Sequence, residues 1–244
     1  MRTSFTKSNN PAFNAENFEN SFYTAAGESM TVSGAVNKTI ILGLLMVAGA
    51  VYTWLNPSSL FMWVGLIGGL IASMVTIFKP TAAPISAPIY AVLEGMALGT
   101  VSAIYAGLFN GIIFQAVTLT IGVLFTMLFL YKTGIIKVTD KLRMGIVAAT
   151  GGVFLFLMAS WIMSFFGFTF FSIANASLFS IGISLVIVGI AALNLLLDFD
   201  FIDRAAYSRA PKYMEWYGAF GLMVTLVWLY LSLLRLLAML SSRD

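Results

Sequence analysis

Between Arg143 and Asp198 the chain runs from Met144 to Leu197 without one acidic or basic side chain. A run of that length is twice what a helix needs to cross a bilayer, about 20 residues. Three more such runs follow the same rule. Thr39 to Phe78 is uncharged and broken near its middle by Asn56-Pro57-Ser58-Ser59. Gly95 to Tyr131 is uncharged, with a break at Asn110-Gly111. Trp216 to Leu234 is uncharged and unbroken. Only 9% of the residues are charged, against about 25% in a soluble globular domain, so the chain could not cover a water-facing surface.

The first and third runs hold two spans each, the second holds one and the end of another that begins near Ser86, and the fourth holds one. The predicted spans are 38–55, 60–78, 86–107, 111–131, 144–165, 175–197 and 213–239. The fold class is therefore an all-α integral membrane protein, a seven-helix bundle. A membrane β-barrel is excluded because its strands alternate over about ten residues, whereas these runs are continuous. Residues 1–37 are polar, with Asn, Ser and Thr among Phe and Tyr. They lack the basic start and apolar core of a signal peptide and read as a cytoplasmic tail ahead of one transmembrane domain, 38–244.

Basic residues orient the bundle. Arg2, Lys7, Lys38, Lys79, Lys132, Lys137, Lys141, Arg143, Arg204, Arg209 and Lys212 fall on one side, and only Arg235 and Arg243 on the other. The positive-inside rule then places the N-terminus in the cytoplasm and the C-terminus outside. The net charge of +3 reflects this topology and contact with anionic lipid, not nucleic-acid binding.

Cysteine and histidine are both absent. That removes thiol chemistry, the commonest metal ligand and the usual general base. Intramembrane serine proteolysis lacks its Ser–His pair, the aspartyl type lacks a Gly-x-Gly-Asp run, and Trp216 to Leu234 holds no lysine for a retinal. No enzyme and no resident cofactor is expected.

The informative residues are acids. NLLLDFDFID (194–203) places Asp198, Asp200 and Asp203 at the end of the longest apolar run. Asn194 and Asp198, four apart, share a helix face. Asp200 can pair with Arg204 at i, i+4 if the helix continues. Asp200 and Asp203 otherwise read as solvated residues at a helix end. Glu94 lies within the third span, about 12 Å deep at about 1.5 Å per residue, where a charge costs about 2.5–3.5 kcal/mol on insertion scales. It should face the bundle interior, a partner or water, and a structural, hydrogen-bonded carboxyl is the ordinary alternative. Glu215 opens the seventh span, where a first-turn acid complements the helix dipole. Because the sixth and seventh spans are antiparallel neighbours, Asp198, Asp200 and Glu215 are expected around one mouth. Such carboxylates would attract cations in a pH-dependent way. DFDFID is not a calcium loop, since the further ligands, central Gly and terminal Glu do not follow. GLIGG (65–69) and GMALG (95–99) are small-residue faces suited to close helix packing.

PIYAVLEGMALGTVS (88–102), NLLLDFDFID and KYMEWYGAFGLMVTLVWLYLSLLRLLAML (212–240) together resemble the bacterial branch of the Bax inhibitor-1 family. The resemblance implies six spans around a central seventh and a multi-pass protein of the bacterial inner membrane. It also implies a pH-sensitive calcium leak channel, in which an aspartate of the sixth span and one of the seventh share a proton. Asp198 matches the first of these and becomes the tentative contact for a transient calcium ion. The second has no counterpart. Alignment on Leu229-Tyr230-Leu231 puts Ser232 in its place, and alignment on the terminal Leu-Leu-Arg puts Thr225 there. Helix rise favours Thr225, because Ser232 stands about 25 Å beyond Glu215. Lys79 is the nearest candidate for the basic residue that relatives carry near the gate. The expected pathway residues are thus Asp198, Asp200, Glu94 and Glu215, with Asn194, Asp203, Thr225 and Lys79 secondary. Expected partners are the bilayer, cations and protons, with a monomer favoured. The alternative that the resemblance implies is a non-transporting regulator that restrains a membrane-bound AAA protease.

Overall fold

The computed structural model describes residues 29–166 and 177–242. Seven long helices carry the chain back and forth: α1 (Val32–Leu55), α2 (Ser59–Phe78), α3 (Ala83–Leu108), α4 (Ile112–Lys132), α5 (Asp140–Ser164), α6 (Leu178–Tyr207) and α7 (Met214–Ser241). All seven are long and apolar enough to cross a membrane. Their outer faces carry the large exposed apolar side chains that a lipid solvent accommodates, among them Leu44, Leu70, Phe125 and Phe154.

Local chemistry sets the helix starts. Side-chain oxygens of Thr31, Ser58, Thr139 and Ser177 accept from backbone N–H groups in the first turns of α1, α2, α5 and α6, satisfying donors that the helix leaves open. Proline stands in the first turn of α3, where no N–H is needed. Gly111, at φ 75°, supplies the left-handed turn before α4.

Two glycine faces fix the closest packing. A Cβ at Gly49 of α1 would lie 2.6 Å from the Val92 carbonyl of α3, and one at Gly65 of α2 would lie 2.5 Å from the Leu93 carbonyl. Gly95 and Gly99 press in turn on the Met46 and Ala50 backbone of α1. The GLIGG and GMALG segments therefore bring α1 and α2 onto α3, as their spacing predicts.

α7 is the centre. Of its most apolar stretch 56% is buried, against 11% in α4 and α5. Ala219, Phe220, Met223 and Val227 pack with α1, α2 and α3. Leu222, Leu229, Leu233 and Leu236 pack with α6 and α4. The starts of α1, α3, α5 and α7 share one end of the bundle with the ends of α2, α4 and α6. This end holds Lys38, Lys79, Lys132, Lys137, Lys141, Arg143, Arg204, Arg209 and Lys212 and is called the basic face below.

Three boundaries among the described residues differ from expectation by four residues or more. α1 begins at Val32 rather than residue 38, because Thr31 caps it. α5 begins at Asp140 rather than 144, capped by Thr139. α6 does not end at 197 but runs to Tyr207, so Asp198, Asp200 and Asp203 are inside a helix and not beyond one. The expected start of the sixth span at 175 and residues 1–28 of the tail lie outside the described residues.

Candidate functional site

The extra turns of α6 carry the site. Asp198 stands nine residues before the helix end at Tyr207, which is about 14 Å at about 1.5 Å per residue. It lines a cleft of about 860 Å³ between α5, α6 and α7. Ser208 and Ala210 of the α6–α7 turn border the cleft on the basic face, and Asn194, Asp198 and Gly221 border it deeper in the bundle. Asn194 and Asp198 thus share a face and a cavity, as their spacing predicts.

The polar partners of this face are few. The Asn194 side-chain amide donates to the Thr150 hydroxyl and to the Ile190 carbonyl, both at 2.8 Å. Asp198 Oδ2 is buried and, among the described residues, accepts no hydrogen bond. The Thr225 hydroxyl acts on the Asp198 carboxyl, while its own donation goes to the Gly221 carbonyl at 3.3 Å. A carboxylate oxygen left without a partner in a dry site is unfavourable by several kcal/mol. Ser232, the other candidate for the absent seventh-span acid, lines a different cavity, of about 290 Å³, with Ser184, Trp228 and Arg235. Of the two candidates, Thr225 and not Ser232 stands beside Asp198.

The three aspartates of DFDFID have three different surroundings. Asp200 is buried and held by Arg204, 2.9 Å away, and by Arg143 of α5. Its pairing with Arg204 follows the i, i+4 expectation, but the solvated helix-end reading of Asp200 is corrected: two guanidiniums allow its burial. Asp203 is exposed on α6 and accepts from the Tyr131 hydroxyl at 2.9 Å.

The expected gathering of Asp198, Asp200 and Glu215 at one mouth is also corrected. Glu215 is 1% exposed and does not line the cleft. Its Oε1 accepts from the Thr31 backbone N–H and hydroxyl, each at 3.0 Å, and from Lys212 Nζ at 2.6 Å. Gly34 leaves the room, since a Cβ there would overlap the Glu215 carboxyl. Met30 N–H donates to the Ala210 carbonyl at 2.7 Å, and Lys38 lies 4.9 Å over the Trp216 ring. The carboxylate therefore fastens the start of α1 to the start of α7, aided by the positive end of the α1 dipole.

Glu94 is half-buried and turned toward α2, where a Cβ on Gly69 would stand 2.7 Å from its Oε2. It faces a neighbouring helix, as its depth predicts, but it does not line the Asp198 cleft. Lys79 is exposed beyond α2 and is also absent from the cleft, whose basic residues are Arg143 and Arg204. Sequence reasoning missed Arg143. Its signal was its position in the first turn of α5, the last charge before the longest apolar run. Among the described residues no three acids converge to hold a metal ion, so Asp198 is at most one ligand of a passing cation.

The cleft does not continue through the bundle. On α6 its deepest member is Asn194, and the second cavity resumes at Ile187. Between them Val188 and Ala191 of α6 pack in one apolar cluster with Leu222 and Leu226 of α7. An apolar layer thus separates a cleft containing Asp198 from a smaller cavity containing Arg235.

The family model described as Bax inhibitor 1 like matches residues 10–242 of this chain. No curated protein matches it.

Proposed function

The chain belongs to the Bax inhibitor 1 like family of membrane proteins, and from that premise we propose that it is a pH-sensitive cation leak pathway, with calcium the permeant ion. The observation that carries the reading is the buried Asp198 oxygen, without a partner among the described residues, in a cleft that leads inward from the basic face. By the positive-inside rule that face is cytoplasmic, in a bacterial inner membrane. Asp198 is the gate. Ionised, it needs water or a cation beside it; protonated, it needs neither. Cation occupancy of the cleft therefore rises as the proton leaves. Passage requires the layer formed by Val188, Ala191, Leu222 and Leu226 to part and wet, joining the two cavities. Asp200 serves the gate by holding Arg143 and Arg204 away from Asp198, so that no base neutralises it. Glu94, Glu215 and Lys79 stand outside this pathway.

The test is calcium uptake into liposomes that hold the purified protein and a calcium dye, measured on both sides of neutral pH. Uptake that grows with pH and loses its pH dependence in Asp198→Asn supports the reading. Absence of uptake at every pH, or an unaltered profile in Asp198→Asn, overturns it. In that case the second reading, a non-transporting regulator of a membrane-bound AAA protease, gains support. It draws on the fastening of residues 29 and 30 to the α6–α7 turn, on the same face as the cleft.

A further inference from the structure

The geometry points to an organic ammonium cation as an occupant of the cleft, its N–H groups bound by Asp198 and Asn194 and its carbon chain lying against Phe201 and Tyr217. This rests on the cleft being a cation pathway and names the class of cation that its inner end fits.

The inner end is rich in acceptors and poor in donors. Asp198 Oδ2 has no hydrogen-bond partner among the described residues. The Asn194 amide nitrogen uses its N–H groups on Thr150 and Ile190, so its carbonyl oxygen remains an acceptor, one helical turn from Asp198 on the same wall. The Thr225 hydroxyl donates to the Gly221 carbonyl. Arg143 and Arg204, the basic residues of the lining, are engaged by Asp200. A ligand that supplies N–H donors and a positive charge meets what this wall lacks.

A bare divalent ion fits the resting cleft less well. Calcium takes about 6–8 oxygen ligands, and no three acids converge among the described residues. The second carboxylate of the lining, Asp200, is already bound by two guanidiniums. The volume, about 860 Å³, lies within the range of small-molecule sites, about 300–1,000 Å³, and exceeds the needs of a single ion. Phe201 and Tyr217, with ring centroids 6.0 Å apart, give the wall the aromatic faces that attract alkylammonium groups.

The experiment is saturation-transfer NMR on the full chain in lipid nanodiscs, at fixed ionic strength, with n-butylammonium and tetramethylammonium as probes. The two carry equal charge, but only the first has N–H donors. Butylammonium should bind at least about tenfold more tightly, the scale of a hydrogen bond to a charged group. Asp198→Asn should weaken it by a similar factor. Gly221→Ala places a Cβ 4.0 Å from Asp198 Oδ1, a contact that disturbs no packing, and should weaken binding several-fold with the helix content unchanged. Equal binding of the two probes, no binding by folded protein, or binding indifferent to Asp198→Asn overturns the inference. Binding is read here without flux, so the two readings fail separately. Lost ammonium binding with Asp198-dependent calcium uptake intact defeats only this inference, and binding without uptake defeats only the leak pathway.

Discussion

Two carboxylates on α6 and α7 are withdrawn from water on the same side of the bundle, and their surroundings are opposite. Glu215 has two donors from Thr31, an ammonium from Lys212 and the start of α1 above it. Asp198 has one hydroxyl neighbour and, among the described residues, an oxygen with no hydrogen-bond partner. Burial alone does not separate a functional acid from a structural one. Satisfaction does: a fully bonded carboxylate fixes a fold, and an unbonded one awaits a visitor. Neighbouring Asp200, between two guanidiniums, belongs with Glu215.

The contrast breaks most visibly at the satisfied acid. Glu215→Ala removes three hydrogen bonds and leaves Thr31 and Lys212 without their acceptor, so thermal unfolding in detergent should show a loss of about 2–3 kcal/mol. Gly34→Ala, whose added carbon meets the same carboxyl, should cost about 1–3 kcal/mol by overpacking. Should both variants unfold like the parent protein, the fastening of α1 to α7 is not what holds this end together.

Arg143→Ala comes next. It deprives buried Asp200 of one partner but leaves Arg204, so the expected loss is about 1 kcal/mol, with a parallel loss of protection from hydrogen exchange in the first turns of α5. Asp198→Asn should do neither. Removing a charge that has no basic partner among the described residues leaves stability equal or slightly higher, while the pH dependence of uptake disappears. Destabilisation by Asp198→Asn comparable to that of Glu215→Ala would show that Asp198 is a structural acid after all.

This contrast explains which parts of the molecule the sequence could announce. Seven helices were legible because hydropathy at span length is a local property, and the order of loops and charges follows from it. That Asn194 and Asp198 share a face, and that Asp200 pairs with Arg204, was legible because each two are one turn apart. The partners that decide each acid's role come from far along the chain. Thr31 and Glu215 are separated by 184 residues and Arg143 and Asp200 by 57, distances at which spacing carries no information. The extent of α6 was misjudged for a related reason. A run of three aspartates looks like a helix end when Arg143 and Tyr131, which donate to two of them, cannot be seen.

The smallest effect belongs to Thr225, and it tests the contrast most finely. Thr225→Val keeps the volume and the branched shape and removes only the hydroxyl. That hydroxyl bonds weakly, at 3.3 Å, within its own helix, so stability should change by less than about 1 kcal/mol. Yet the hydroxyl is also the polar neighbour of Asp198. If Asp198 gates the cleft, its loss should displace the pH profile of calcium uptake while the unfolding curve stays in place. A variant that moved unfolding but not the profile would place Thr225 with the packing of α7. A variant that moved neither would leave Asp198 to act with no help from the central helix.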